Sequence, residues 1–452
     1  MKATEILFVA FGSLGDVYPL LAIAKKMQVR HDVTFLANEY FRNHVEAAKL
    51  KYFPIGLVED QLAGRETLNS SGETEQGRKG RFENIIGKSF KITYEFIAKK
   101  VANDTRLLVI TNGNLSPAVL ACEAFNIPMI ITHYAPSQIP NNYEDSILCA
   151  SFYGKYEWWI RYVSIPFAFA VKKLKFELKD QFNEHRKKLG LTPITNSFKS
   201  MWKRLVFSRS RSFRPQLNIP IEIVFAPKWF CEPIDRKLVN LQFTGFPFYD
   251  EENYGQELKI EKFIELNGKP LVFTPGTAVE DVEAFAREII PICRKLASPA
   301  IFCSKHGKTI FEKLDSADDV SMLFVEHANL LHLLPKSRCL IHHGGIGTTA
   351  QAIRAGIPQI VRPRMYDQPA NGVRIMMFGL GGSIFPNAYR ADNVANILTH
   401  IESSSKHKEM IAYYSDLVRN DDGVANCVTR IEKFLTEGSA ENVESAENSP
   451  AY

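Results

Sequence analysis

The sequence predicts an α/β protein built on two doubly wound parallel sheets, and three observations lead to this fold class. The chain has 452 residues, which is enough for two or three domains of ~150 residues each. Short β-branched and aromatic runs alternate with stretches of helical length, as in βαβ units. This alternation occurs twice, on either side of a segment at 245–255 that is rich in Gly, Pro and acidic residues.

The first half of the chain contains four predicted strands with helices between them. The strands are 6–11, 32–37, 107–111 and 128–132. The stretches with helical periodicity are Pro19–Met27, Tyr40–Leu50 and Ser116–Phe125. This order predicts one parallel sheet in the first half.

The second half repeats the same rhythm. Its predicted strands are 270–274, 300–304, 322–326, 339–343 and 358–362. Its predicted helices lie at about 280–296, 329–335, 347–355 and 369–378. Residues after Asp392 predict helix to about Leu435, and the tail 438–452 predicts disorder because it contains few apolar residues.

Composition and cysteine usage argue against a disordered chain and against a small disulfide-rich protein. Hydrophobic residues make up 45% and charged residues 23% of the chain, which is ordinary for a globular protein. The seven cysteines are scattered without a CxxC pair, so we expect a reducing compartment and neither disulfides nor a zinc site. The first apolar run lacks a cleavage site, and the longest one near the middle, 163–171, is far shorter than the ~20 residues of a membrane span. We therefore expect a cytoplasmic protein.

Residues 155–214 differ from the rest of the chain in charge. They hold 15 Lys and Arg against 4 Asp and Glu, together with the aromatic pair Trp158 and Trp159. This composition suits peripheral contact with an anionic membrane at the inner surface, and it equally suits a solvated helix pair with an apolar inner face. No recognition motif accompanies the charge, so a nucleic-acid partner is not expected.

The first chemical motif is Gly12–Pro19, at the end of the first predicted strand. Loops at the carboxyl ends of parallel strands face the ligand crevice of an open sheet. Asp16 is either a general base on the floor of that crevice or a helix cap, and the motif alone does not decide between them. Its spacing is not that of a dinucleotide fingerprint, and Gly15 is expected among the residues that bind the donor.

The second motif, Ile341–Ala350, combines a strand, a Gly-rich turn and a helix. Glycines let the backbone approach a ligand, and the helix start offers N–H groups to an anion. The residues expected at this diphosphate site are His342, Gly344, Gly345, Gly347, Thr348 and Thr349. The alternative is a Gly-rich turn with core histidines.

Three further sets of residues follow strands at the same edges. Asp367 and Gln368 offer the mixture of acceptor and donor groups that sugar hydroxyls need, although Asp-Gln-Pro is also a good helix start. Gly276 and Thr277 offer amides to a phosphate, or form a plain turn. His133 and Tyr134 follow the strand 128–132 and are expected to face an acceptor. His133 is alternatively an orienting or core histidine.

At this point the sequence resembles a known family. The run HHGGIGTTAQAIRAGIPQIVRPRMYDQPANGVRI (342–375) resembles the donor-binding signature of nucleotide-sugar glycosyltransferases of the GT-B fold. GSLGDVYPLLAIAKKM (12–27) is similar to the N-terminal loop of the same group. FAPKWF (225–230) and TGFPFYD (244–250) also resemble it. The group contains sterol glucosyltransferases, vancomycin-class glycosyltransferases and rhamnolipid-type rhamnosyltransferases.

The resemblance implies two Rossmann-like domains facing across a cleft. By this resemblance, residues 1–245 bind the acceptor and 246–405 bind the nucleotide sugar, while helices in 406–437 return to the first domain. Asp16 is then the catalytic base, and His342 and the Gly344–Thr349 loop hold the diphosphate. Asp367 and Gln368 hold the sugar.

The implied function is inverting, metal-independent transfer of a hexose from a UDP- or dTDP-sugar to a hydroxyl of a lipid, sterol or natural-product aglycone. The nucleotide sugar is a co-substrate, and no other cofactor is expected. Two alternatives stay open. One is a nucleotide-sugar epimerase or hydrolase on the same fold, and the other is a non-catalytic, nucleotide-sugar-binding partner of another transferase.

Overall fold

The computed structural model describes most of the chain. The described residues are 4–60, 88–113, 116–139, 183–193, 218–231, 241–250, 255–276, 282–305, 307–313, 319–364 and 367–447. Thr277 lies outside them, and so do the last five residues of the chain. The basic segment 155–214 also lies outside, apart from residues 183–193. The expectations for Thr277 and for membrane contact by the basic segment therefore concern residues outside the described part.

The first half of the chain forms a parallel sheet of seven strands among the described residues. Its order is β3-β2-β1-β4-β5-β6-β7. The strands are β1 (Glu5–Val9), β2 (Asp32–Ala37), β3 (Lys51–Pro54), β4 (Leu107–Asn112), β5 (Met129–His133), β6 (Glu222–Val224) and β7 (Leu241–Phe243).

The second half forms a separate parallel sheet, with six described strands in the order β10-β9-β8-β11-β12-β13. The strands are β8 (Leu271–Thr274), β9 (Ala300–Cys303), β10 (Met322–Val325), β11 (Cys339–His342), β12 (Gln359–Val361) and β13 (Gly381–Ser383). The predicted fold class, two doubly wound α/β domains, is therefore confirmed.

Helices connect the strands and cover the sheets. They are α1 (Leu14–Met27), α2 (Arg42–Ala47), α3 (Lys88–Ala102), α4 (Val119–Ala124), α5 (Lys228–Cys231), α6 (Glu257–Asn267), α7 (Val282–Ala286), α8 (Ile289–Leu296), α9 (Gly307–Lys313), α10 (Leu330–Leu333), α11 (Ile346–Ala355), α12 (Gln368–Met377), α13 (Ala391–Ser403), α14 (Ser405–Arg419) and α15 (Gly423–Glu447). None of the helices in the described part is both long and apolar enough to cross a bilayer.

The core lies on both faces of each sheet because alternate strand residues point to opposite sides. In β1, Ile6 and Phe8 pack with α1, whereas Leu7 and Val9 pack with α3 and α4. Burial of one such aliphatic side chain contributes roughly 1.5–3 kcal/mol. The same division holds around β8, whose alternate residues belong to two different clusters.

Each sheet has one point where the strand order reverses. In the first sheet this point lies between β1 and β4, and in the second between β8 and β11. Ligands of open α/β sheets bind outside the carboxyl ends of the strands at such a point. A ligand site is therefore expected at the loops that follow β1, β4, β8 and β11.

The last helices link the two halves. α14 packs on α11, where the Ser415 hydroxyl donates to the Arg354 carbonyl at 3.1 Å, and its Tyr414 ring lies 4.5 Å from that of Trp229 in the first half. α15 packs on α1, with Cys427 and Ile431 buried in the first domain's core. Both helices thus contact the first half, α14 through Tyr414 and α15 through its packing on α1.

The structure differs from the sequence prediction at two further places. α15 continues to Glu447, so residues 438–447 are helical where disorder was predicted. Ala and Glu are good helix formers, and a helix propagates readily from a packed turn. The strands β3, β6, β7 and β13 were missed because three or four residues are too few to show a period of two.

Candidate active site

Asp16 lies in the first turn of α1, directly after the loop that follows β1. The Ser13 backbone N–H donates to Asp16 Oδ2 at 2.6 Å, and the Ser13 hydroxyl donates to the same oxygen at 2.9 Å. Gly12 has φ +126°, and a Cβ there would lie 2.4 Å from Asp16 Oδ2. The N-cap of α1 is therefore Ser13, and Asp16 is its partner in a capping box rather than the cap itself. Glycine at position 12 leaves room for the carboxylate.

The surroundings of Asp16 also suit a base. Its side chain is half-buried, and burial raises the pKa of the carboxyl above its usual value. Hydrogen bonds from Ser13, the Tyr134 side chain and the Asn112 side chain oppose that rise in pKa. A carboxylate with a raised pKa is a better proton acceptor than an exposed one, so capping and general-base chemistry are compatible at this residue.

The loop between β11 and α11 presents backbone rather than long side chains. Gly345 is the N-cap of α11, and Gly344 has φ +91°. A Cβ on Gly344 would lie 2.5 Å from Val361 Cγ1, whereas a Cβ on the exposed Gly347 would meet no atom within 4 Å. The first N–H groups of a helix lack partners within the helix, so this end of α11 is suited to an anion.

His342, which the sequence assigned to the diphosphate, is fully buried inside the second domain. The Gly344 N–H donates to His342 Nδ1 at 3.1 Å, so the ring proton is on Nε2, which donates to the Gln359 side-chain oxygen at 3.0 Å. Burial and the neighbouring His343 lower the pKa of His342 to about 3. Both ring nitrogens are thus occupied inside the fold, and the ring is a neutral core histidine, which is the alternative that the sequence left open.

His343 is a candidate residue that the sequence did not single out. Its ring is partly exposed and lies between two glycines: a Cβ on Gly345 would come within 2.5 Å of His343 Nε2, and one on Gly276 within 2.7 Å of the ring. Burial lowers the pKa of His343 to about 4. The available signal was position, because β11 ends at His342 and the next residue is the first beyond the carboxyl end of the strand.

The remaining residues of this loop divide by exposure. Thr349 is fully buried and its hydroxyl has no hydrogen-bond partner among the described residues, so its side chain does not line the cleft as predicted. Thr348 is partly exposed one residue earlier. Gly276, with φ +87°, lies against His343 beyond the end of β8, while Gly15 is exposed beside Asp16.

Asp367 lies at the start of α12, beside the glycine loop. The Asn371 amide donates to Asp367 Oδ2 at 2.8 Å and to the Gly344 carbonyl at 2.9 Å, and the Ile346 backbone N–H also bonds to the carboxylate. Burial raises the pKa of Asp367 to about 6. Gln368 is buried, and its side-chain oxygen accepts the Arg364 N–H at 2.9 Å.

The two carboxylates of the predicted site lie near each other. The Asp16 carboxylate, from the first sheet, lies close enough to Asp367, from the second sheet, to raise the pKa of Asp367 further. Asp16 follows β1 and Asp367 follows β12, so the carboxyl ends of the two sheets face each other. The arrangement places a half-buried carboxylate opposite a helix N-terminus and a second carboxylate.

The two residues expected to contact an acceptor differ in accessibility. His133 is buried, and its Nε2 lies 2.8 Å from Glu222 Oε2, which is also buried. It therefore belongs to the core of the first domain, as the alternative interpretation held, and is not accessible to an acceptor. Tyr134 is half-buried, and its side chain reaches Asp16.

Models of known protein families match both halves of the chain. The model of the glycosyltransferase family 28 N-terminal domain matches residues 6–133. The model of the erythromycin biosynthesis protein CIII-like C-terminal domain matches residues 317–433. The first match contains the Asp16 loop, and the second contains the glycine loop and Asp367.

Individual proteins match over nearly the whole chain. A sterol 3-beta-glucosyltransferase of Arabidopsis thaliana is 23% identical over 446 residues, which cover 95% of this chain and 66% of that protein. The glycosyltransferase GtfC of Amycolatopsis orientalis is 25% identical over 386 residues, covering 83% of this chain and 85% of GtfC. The chain thus spans 66% of the length of the plant relative.

A solved structure shows the same fold. The glycosyltransferase VinC in complex with dTDP is similar with a TM-score of 0.63 at 16% identity, covering 95% of this chain and 100% of VinC. Fold, family models and relatives agree with the resemblance of the two sequence motifs. The chain belongs to the glycosyltransferases of the GT-B fold.

Proposed function

We propose that this protein transfers a sugar from a nucleoside diphosphate sugar to a hydroxyl group of an apolar or amphipathic acceptor, with inversion at the anomeric carbon. One observation carries the proposal. The Asp16 carboxylate of the first domain lies near Asp367 of the second, which is bonded to the first turn of α11. A base, a sugar-binding carboxylate and an anion-binding helix end therefore face one cleft.

In the proposed reaction, Asp16 accepts the proton of the acceptor hydroxyl. The oxygen then forms a bond to the anomeric carbon, and the bond from that carbon to the β-phosphate oxygen breaks. The bonding electrons leave with the nucleoside diphosphate from the opposite face, so the configuration inverts. General-base help of this kind contributes roughly 10²–10⁴-fold.

The leaving diphosphate gains negative charge as the bond breaks. The N–H groups at the start of α11 are aimed at that charge, and preorganised donors of this kind often supply the largest catalytic contribution. We assign the side-chain donor to His343 rather than to His342, because the latter has both ring nitrogens bonded inside the fold. With its pKa lowered to about 4, His343 acts as a neutral N–H donor at neutral pH.

These backbone and imidazole donors form the basis for proposing that catalysis needs no metal ion. The donors would supply the stabilisation of the leaving group that a divalent cation supplies elsewhere. We expect turnover in EDTA to equal turnover in added Mg²⁺. Turnover that requires Mg²⁺ would contradict this part of the proposal.

Donor and acceptor classes are proposed from the site and the relatives. Ionised Asp367 accepts hydrogen bonds from sugar hydroxyls, and the solved relative with dTDP supports a nucleoside diphosphate donor, with UDP the other candidate. The Tyr134 ring beside Asp16 offers an apolar wall to the acceptor. The sterol-specific relatives support a sterol or a natural-product aglycone as that acceptor.

The experiment is a transfer assay with UDP-glucose and dTDP-glucose, each with cholesterol, with an aromatic polyketide aglycone, and with no acceptor. We expect nucleoside diphosphate release that depends on the acceptor, and a product whose anomeric configuration by NMR is opposite to that of the donor. Equal release without acceptor would instead indicate a hydrolase. Binding without any release would indicate a non-catalytic partner of another transferase.

We also propose, from sequence alone, that the basic segment 155–214 holds the protein at the cytoplasmic surface of an anionic membrane. Its net charge of +11 and its Trp pair support this. Co-sedimentation with phosphatidylglycerol vesicles at low salt tests it, with neutral vesicles as the control. Recovery of all the protein in the supernatant would reject the proposal.

A further inference from the structure

Asn112 is a buried polar residue at the end of β4, next to the loop that carries Asp16. Its side chain is 9% exposed. β4 pairs with β1 in parallel, with Thr111 opposite Val9, so Asn112 lies beside the first residues beyond β1. This is the reversal point of the first sheet, where the proposed chemistry takes place.

The Asn112 amide makes a two-way clamp on the loop. The Phe11 N–H donates to Asn112 Oδ1 at 3.0 Å, and Asn112 Nδ2 donates to the Phe11 carbonyl at 2.6 Å. These two bonds fix which end of the amide is nitrogen. The second N–H of the amide nitrogen is then available for Asp16, and the nearby Asn112 side chain lowers the pKa of that carboxyl.

We propose that Asn112 is a positioning residue for the transfer reaction, holding both the Phe11 backbone and the Asp16 carboxylate so that Asp16 faces the acceptor hydroxyl. This inference rests on the proposed function for its catalytic consequence. The structural part, a direct coupling between Asn112 and Asp16, can be measured without any activity.

The identity of the amide matters because it donates where a carboxylate accepts. The other groups that face Asp16 are Ser13 and Tyr134, which donate to it, and Asp367, whose own pKa is raised by the charge of Asp16. Without the Asn112 donor, less opposes the effect of burial, so the pKa of Asp16 rises. An Asp at position 112 adds a further negative charge and an acceptor against the Phe11 carbonyl, which raises it more.

The chain offers a matched control at the end of a neighbouring strand. Asn38 follows β2, is 8% exposed, donates from Nδ2 to the Leu57 carbonyl at 2.8 Å and accepts the Tyr40 N–H at 2.9 Å. It clamps a loop of the same sheet with the same two kinds of bond. Asp16 receives no hydrogen bond from it among those that set the Asp16 pKa.

The first test is a double-mutant cycle in urea unfolding. Asn112→Ala and Asp16→Asn are made singly and together, and unfolding is measured at pH 4 and pH 8. At pH 8 we expect the two substitutions to be non-additive, as residues in direct contact are: the unfolding equilibrium constant of the double variant should differ by about twofold or more from the value that the single variants predict. At pH 4 we expect a smaller departure from additivity. The Asn38→Ala and Asp16→Asn pair should be additive at both pH values.

The second test is the pH dependence of transfer from UDP-glucose or dTDP-glucose to cholesterol. We expect kcat to fall by roughly 10- to 100-fold in Asn112→Ala, the cost of a misplaced catalytic group. The acidic limb of kcat/KM should move to higher pH in Asn112→Ala and further in Asn112→Asp. Asn38→Ala should keep the wild-type limb.

The outcomes separate the positioning role of Asn112 from the proposed transferase function. Additive behaviour of Asn112 and Asp16 at both pH values, or an acidic limb unchanged in both Asn112 variants, would overturn the positioning role. Non-additivity at pH 8 in a protein that transfers no sugar would support the coupling and remove the proposed function. Asp16→Asn with full activity would remove Asp16 as the base and leave the coupling as a structural contact only.

Discussion

The loops that follow β1 and β11 have the same plan and use it in opposite ways. Both are Gly-rich turns between a central strand and a helix, and both lie where the strand order reverses. In the first loop a side chain on the helix, Asp16, is turned toward the cleft and held there by its neighbours. In the second, the strand-end side chain His342 is locked inside, and the glycine backbone faces outward.

This difference shows that a motif predicts where a loop lies more reliably than it predicts which of its side chains are accessible. At Asp16, Gly12 allows the carboxylate to fold back over the turn. At His342, Gln359 and the Gly344 N–H take both ring nitrogens. A single-residue step along the chain, from His342 to His343, exchanges a buried ring for a partly exposed one.

The substitution with the largest expected effect on activity is Asp16→Asn, in the first of the two loops. The amide oxygen can still accept the Ser13 N–H, so the fold is kept, but the proton acceptor is lost. We expect kcat to fall by roughly 10²–10⁴-fold while the Kd of the nucleotide sugar stays within about twofold, measured by transfer kinetics and calorimetry.

Asp60→Asn is the matched control for that variant. Asp60 is a buried carboxylate of the first domain that, like Asp16, accepts a backbone N–H: its Oδ2 accepts the Leu57 N–H at 3.1 Å. We expect its kcat to stay near that of the wild type. Equal losses of kcat in both variants would mean that Asp16 acts only as a cap.

The second prediction concerns the two histidines. His342→Ala leaves a buried cavity and an unsatisfied Gln359, so we expect the free energy of unfolding to fall by about 2–4 kcal/mol. His343→Ala should destabilise the fold by less than about 1 kcal/mol and raise the donor Kd by about tenfold, the loss expected for one hydrogen bond to a charged group.

Urea unfolding and titration with UDP-glucose or dTDP-glucose measure the two effects separately. The assignment of His343 to the diphosphate would be wrong if the donor Kd rose only in His342→Ala protein that is still folded.

The same residues show how much of the fold and of the candidate site could be predicted from the sequence. The strand–helix alternation predicted both sheets, and the motifs placed Asp16 and Asp367 at strand ends that prove to face each other. It failed where packing decides orientation. His133 pairs with Glu222, a partner 89 positions away in sequence, and Thr349 is the buried neighbour of the accessible Thr348. Neither property is encoded within the motif itself.

The third prediction tests the contact between the two halves through pH. Because the pKa of Asp367 in the folded state, about 6, lies above its ordinary value of 3.8, folding favours the protonated form. The stabilisation is fully present below pH 3.8 and is lost as the pH rises through 6. Asp367→Asn, which cannot ionise, should therefore be more stable than the wild type at pH 8 by up to about 3 kcal/mol, and equally stable near pH 3.5.

Urea unfolding at several pH values measures this difference, and Asp16→Asn provides the link to the first loop. Without the Asp16 charge, the pKa of Asp367 should fall, so the gain from Asp367→Asn at pH 8 should shrink in the Asp16→Asn background. An unchanged gain would show that the two carboxylates do not interact across the cleft.

The substitution with the smallest expected effect on stability is Gly347→Ala. It tests whether the backbone of the glycine loop binds the diphosphate or only forms a turn. Gly347 is exposed, belongs to the first turn of α11, and has open space where a Cβ would project. Gly347→Ala should therefore leave the fold intact and raise its stability by up to about 1 kcal/mol, because Ala favours helix over Gly.

If that open space receives the diphosphate, the same methyl group must weaken donor binding although it touches no protein atom. We expect the donor Kd to rise by about tenfold or more, since the methyl keeps the phosphate from the helix N–H groups. Gly345→Ala is the companion variant, because its Cβ would meet His343 Nε2 at 2.5 Å and displace the ring instead. Wild-type donor affinity in Gly347→Ala, measured by calorimetry, would show that the phosphate lies elsewhere. In that case we expect the glycines of the second loop to serve only to make the turn, and side chains to bind the ligand of the second domain.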